Sequence, residues 1–133
     1  GQRRDLNREK FEAKKLLDLL KNFNSPASKN ISYLTHIVKV RSRIKAFHPE
    51  ASMKCISNNF DNCVIIQRGL DEDCVYVICN ISNKCLNIAL SNELNLSRSF
   101  TNKKFIDNIT GSHFNTDIIK LNPYQVVWIS LID

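Results

Sequence analysis

Residues 74–79, Cys74-Val75-Tyr76-Val77-Ile78-Cys79, form an unbroken apolar run rich in β-branched and aromatic side chains. Side chains of a strand point alternately to its two faces, so this run predicts a central strand covered on both sides. The preceding Gly69-Leu70-Asp71-Glu72-Asp73 reads as a hairpin loop joining it to another apolar run at 63–68. Further runs of Val, Ile, Cys and Tyr, divided by Asn, Asp, Ser and Gly, predict strands near 53–57, 85–90, 103–107, 117–121 and 124–131. Leu86, Ile88 and Leu90 alternate with polar residues, the pattern of a sheet with one face in water. Asn108-Ile109-Thr110-Gly111-Ser112 fits another turn. About seven short strands with such turns define an antiparallel β-sandwich over residues 49–133.

Upstream of Pro49 the period changes. Ala13, Leu16, Leu17 and Leu20 recur at i, i+3, i+4 and i+7 and predict a helix over about 7–21, with Asp5 or Asn7 as its cap. Residues 22–30 lack a period and contain Pro26, so they read as a connection. Ser32 stands at an N-cap position before Tyr33, Ile37, Val40, Ile44 and Phe47, a helical stripe widened by Leu34 and Val38. Because the residue before a proline is pushed out of helical geometry, this second helix is expected to stop before Pro49. Two α-helices in residues 1–48 thus precede the sandwich.

The length of 133 residues, with 43% hydrophobic and 24% charged side chains, suits a soluble globular protein. Its net charge of +6 is uneven: residues 1–50 hold 12 Lys/Arg against 5 Asp/Glu, residues 51–133 hold 7 against 8. The polar side of the second helix carries His36, Lys39, Arg41, Arg43 and Lys45, a solvated basic face or a contact for phosphate or an acidic surface. Aromatic residues that could stack bases are not interleaved with these charges, which argues against nucleic acid. No stretch approaches the roughly 18 apolar residues of a membrane span, and no apolar segment follows Arg3 and Arg4 as in a secretory signal.

Cys55, Cys63, Cys74, Cys79 and Cys85 are odd in number, lie in or beside apolar runs and include no CxxC pair. They read as reduced thiols of a cytoplasmic protein. The triplets at Asn30, Asn80, Asn95 and Asn108 match glycosylation acceptors, but sixteen asparagines yield several such triplets by chance. A β domain of this size buries only about 60–65% of its unfolded surface. A strand covered twice therefore implies that something docks on the sheet.

Chemistry-bearing motifs are nearly absent. With only Gly1, Gly69 and Gly111, no glycine-rich phosphate cradle can be built, and neither HExxH nor GxSxG occurs. His36, His48 and His113 lie far apart along the chain and read as surface or interface residues, while Asp71, Glu72 and Asp73 read as solvated loop acids. No metal and no cofactor are implied.

Four segments carry a resemblance in their order: Gly1-Gln2-Arg3-Arg4-Asp5-Leu6-Asn7-Arg8-Glu9; Val40-Arg41-Ser42-Arg43-Ile44-Lys45-Ala46-Phe47-His48-Pro49; Val75-Tyr76-Val77-Ile78-Cys79-Asn80-Ile81-Ser82; and Leu121-Asn122-Pro123-Tyr124-Gln125-Val126-Val127-Trp128-Ile129. Together they resemble the C-terminal end of α-amylase superfamily enzymes, most closely the sucrose phosphorylase-like group. The resemblance implies that residues 1–48 are the last loop and helices of a (β/α)₈ barrel and that residues 49–133 are the all-β domain that packs against it. It implies a parent that transfers glucose by retaining double displacement, with nucleophile, acid/base and stabilising carboxylate on earlier barrel strands outside these residues. Arg4 is the residue that carries over as a substrate contact, as the first arginine of the family's Arg-Asp-Ile-Asn-Arg motif, here with Leu6 for Ile. A bracing role of Arg4, Asp5 and Arg8 on the following helix is the alternative. His48 and Pro49 are expected to fix the domain junction.

Two functions stay open. One is an accessory domain of a sucrose phosphorylase-like enzyme, partnered by the upstream barrel, assisting homodimerisation and inactive alone. The other is a free-standing sandwich that binds carbohydrate or protein, with a basic helical arm; it needs exposed aromatics on a sheet face, and Trp128, within an apolar run, is expected in the core.

Overall fold

A computed structural model describes residues 12–94, 104–114 and 117–132. The chain divides into two compact units, Gly1–Lys39 and Val40–Asp133.

Among the described residues the first unit contains α1 (Ala13–Lys21) and most of α2 (Pro26–Arg43), which runs on into the second. The beginning of the helix expected over 7–21, with Asp5 and Asn7, lies outside the described residues. Pro26 does not break structure but begins it. Proline suits the first helical position, where its fixed φ is already helical and its missing N–H is not needed. The connection is therefore only Asn22–Ser25, and Ser25, not Ser32, caps α2: its Oγ accepts from Ser28 N at 3.1 Å and donates to Leu19 O at 2.7 Å. α2 also ends earlier than the proline rule predicts, at Arg43; Ile44 is extended and Lys45–Phe47 make one 3₁₀ turn.

The second unit is the β-sandwich. Its strands among the described residues are β1 (Met53–Ile56), β2 (Cys63–Arg68), β3 (Val75–Asn80), β4 (Leu86–Ala89), β5 (Lys104–Asp107), β6 (His113–Phe114), β7 (Ile118–Leu121) and β8 (Val126–Ile132). One sheet has the order β1-β2-β3-β8-β5-β6 and the other pairs β4 with β7, every pairing being antiparallel. The expected sandwich is thus observed, with two additions: the two-residue β6, and α3 (Leu90–Glu93), which follows β4 directly. Both are too short to leave a period in the sequence.

The core lies between the sheets. Ile65, Tyr76, Ile78, Phe105, Val127 and Ile129 from the large sheet meet Ile88, Ile119 and Leu121 from the small one and Leu90 from α3, all buried. The alternation of Leu86, Ile88 and Leu90 holds, with Ile88 and Leu90 inside and Leu86 partly so.

Two buried polar side chains close the ends of this core. Asn80 Nδ2 donates to Lys84 O and Asn122 O at 2.7 and 2.8 Å, while its Oδ1 accepts from Ser82 N and Ser82 Oγ. Asp107 accepts from Ile109 N, Trp128 N and Thr110 Oγ1. Asn108 Nδ2 donates to Trp128 O and Ser130 Oγ. The amides of Asn80 and Asn108 are therefore committed to the fold, which agrees with reading those triplets as chance rather than as glycosylation acceptors.

Candidate functional site

The segment Ala46-Phe47-His48-Pro49 joins α2 to β1 and is held against the large sheet. Arg68, at the end of β2, donates from Nε to Ala46 O at 3.2 Å and from Nη2 to His48 O at 2.8 Å. Ala46 is 2% exposed, and its Cβ lies 3.0 Å from where a Cβ on Gly69 would stand. Gly69 has φ +74, a backbone that glycine adopts without strain, and its N–H donates to Ser52 O at 3.0 Å. The Phe47 ring meets Trp128 with centroids 4.5 Å apart and planes tilted by 51°. Lys45 reaches Asp73 of the β2–β3 loop at 3.4 Å in a solvated pair. His48 and Pro49 thus lie in the connector between α2 and β1, inside the second unit rather than at the division between the two.

Trp128 is not core. Val127 and Ile129, its neighbours on β8, point between the sheets, so Trp128 stands on the outward face of the large sheet, half-buried under Phe47. An apolar run gives no alternation from which the side of one tryptophan could be told.

That outward face is apolar. The register sets Val64 beside Cys79, Ile66 beside Val77, Val77 beside Trp128 and Cys79 beside Val126 across three adjacent strands. Val64 and Val126 are 39% and 38% exposed, and Ile66, Val77 and Cys79 are half-buried. The twice-apolar run of β3 therefore has one face fully buried in the core and the other only partly covered.

Among the described residues, the thiols whose acidity is shifted are all less acidic than a free cysteine. Burial pushes the Cys63 thiol up to about 11, with smaller contributions from Cys79 and Glu93. Burial also raises Cys74, Cys79 and Tyr76. A reactive cysteine needs the opposite shift. The Glu93 carboxylate is occupied by Asn59 N and Nδ2, and that of Asp117 by Ser91. No group of three or more His, Cys, Asp or Glu among the described residues could hold a metal ion. His36, His48 and His113 fall on α2, the connector and β6 respectively. Arg4, the substrate contact that the resemblance implies, lies outside the described residues.

The architecture, helices leading through a docked connector into a two-sheet sandwich, recurs in solved structures. The chain is similar to an α-amylase from Anoxybacillus, with 16% identity and a TM-score of 0.63 over 83% of this chain and 24% of that one. It is similar also to AmyP, solved with maltose, with 15% identity and a TM-score of 0.65 over 82% and 22% respectively. These likenesses show the fold. In sequence the chain is 31% identical over 126 residues to a glucosylglycerate phosphorylase from Allomeiothermus silvanus, covering 95% of this chain and 20% of that protein. The chain thus spans about a fifth of that relative's length and matches its C-terminal region, and the resemblance read from the four segments holds. No family model matches.

Proposed function

We propose that the chain is the C-terminal accessory part of a sucrose phosphorylase-like, glucosyl-transferring enzyme, that it stabilises the catalytic barrel, and that it is inactive alone. The observation that supports this most is the outward face of the large sheet, where Val64, Ile66, Val77 and Val126 stay partly in water on an otherwise well-packed domain. A contiguous apolar patch of this kind marks a contact surface. The barrel is its occupant in this reading, and the connector under Arg68 and Trp128 fixes how the two meet. Five free thiols, with Cys63 and Cys74 buried, favour the cytoplasm as its compartment.

The 133-residue chain is incubated with phosphate and either sucrose or glucosylglycerate, and release of glucose 1-phosphate is followed. No release is expected from the chain alone. Turnover by the purified chain would overturn the reading.

A further inference from the structure

A cleft of about 350 Å³ opens where the end of α2 meets the connector. Arg41, Arg43 and Lys45 give it positive charge, Ile44, Phe47 and Pro49 give it an apolar wall, and no carboxylate lines it. Arg41 Nη2 donates to Phe47 O at 3.3 Å, which holds the guanidinium at the rim and leaves its other N–H groups for a ligand. Arg43 makes no ion pair among the described residues. Two acids stand nearby: Glu50 and Asp73 line a neighbouring cleft with Lys45, and Asp73 pairs with Lys45 in a solvated arrangement that competes weakly with a multiply charged anion.

Basic residues in the last turn of a helix also offset its negative end. That role accounts for Arg41 and Arg43, but it needs neither a third cation beyond the helix nor a cleft walled by a phenylalanine and a proline. The volume stands at the small end of ligand pockets, which favours a metabolite over a polymer.

We propose that this cleft binds a compact phosphate-bearing metabolite, the phosphate held by the forks of Arg41 and Arg43 and by Lys45, the carbon skeleton laid against Phe47 and Pro49. The site is separate from the glucosyl-transfer chemistry of the proposed function and does not depend on it. A ligand there ties the end of α2 to the connector, so it stabilises the folded chain.

The test titrates the 133-residue chain with glucose 6-phosphate, inorganic phosphate and glucose, following backbone amides by NMR and the thermal midpoint. Glucose 6-phosphate is expected to shift amides of residues 41–49 saturably and to raise the midpoint, inorganic phosphate to act on the same residues more weakly, and glucose to do nothing. Arg43→Gln and Lys45→Gln remove exposed charges while leaving the amide spectrum otherwise native, and each is expected to weaken glucose 6-phosphate about tenfold. The proposal is overturned by a lack of saturation up to on the order of 10 mM, by equal shifts at Lys14 and Lys29, by equal affinity for inorganic phosphate, or by undiminished binding in both variants.

Discussion

Gly69 and Gly111 share one backbone conformation, φ +74, in two very different settings. A methyl group on Gly111 would meet nothing within 4 Å, whereas on Gly69 it would stand 2.9 Å from Asp73 O and 3.0 Å from Ala46 Cβ. Gly111→Ala is expected to cost only the left-handed backbone penalty, about 1–2 kcal/mol. Gly69→Ala adds a clash with backbone that the connector cannot easily relieve, so urea unfolding should show it clearly less stable than Gly111→Ala. Equal losses would contradict the tight seating of Ala46. The thiols give a second residue-scale expectation. Cys63 titrates near 11 when folded against 9.0 as a free thiol, so the folded chain binds the proton more tightly. Its contribution to stability is full below pH 9 and is lost as pH rises through 11. Cys63→Ala should flatten that alkaline decline in unfolding free energy, and an unchanged decline would count against a buried neutral thiol. Asn80 shows what sequence conceals at this scale. Its triplet matches a surface acceptor, yet the residue is 2% exposed with four hydrogen bonds, three of them to Ser82 and Lys84 close by and one to Asn122 O, 42 positions away, a partner no local pattern reveals.

Strands were legible where the period of two and turn residues agreed, as in β2, which spans Cys63–Arg68 as the sequence predicts. Helix ends were less legible, because tertiary contacts decide them. The proline rule carries α2 toward Pro49, but Arg68 and Trp128 take up residues 46–48 and end it at Arg43. The connector's hold on the sheet can be measured. A double-mutant cycle of Phe47→Leu and Trp128→Leu should give a coupling of about 0.5–1.5 kcal/mol, the range of a tilted aromatic pair. Additive losses would mean that the two rings touch without stabilising each other. Sequence reasoning singled out His48 and Pro49, which lie in this connector, but not Arg68, whose two carbonyl partners are 20 and 22 positions away.

Among the described residues, large apolar side chains of both units stand in water. α1 has no buried residue, Leu17 and Val38 are 56% and 63% exposed, and the outward face of the large sheet stays partly open. Val126→Lys on that face should therefore change the stability of the 133-residue chain by no more than about 0.5 kcal/mol. In a parent enzyme it should lower thermal stability markedly. A large loss in the chain alone would mean that the face is already packed. The fold was readable because its signal is periodic and local. The candidate substrate contact was not resolved by the fold, since Arg4 lies outside the described residues and the carboxylates the family implies stand outside the four matching segments. The most direct measurement is the sequence of the reading frame upstream of Gly1. The account predicts that it continues for the length of a (β/α)₈ barrel and encodes the nucleophile, acid/base and stabilising carboxylates at the C-terminal ends of barrel strands. A start codon at or just before Gly1 would contradict it.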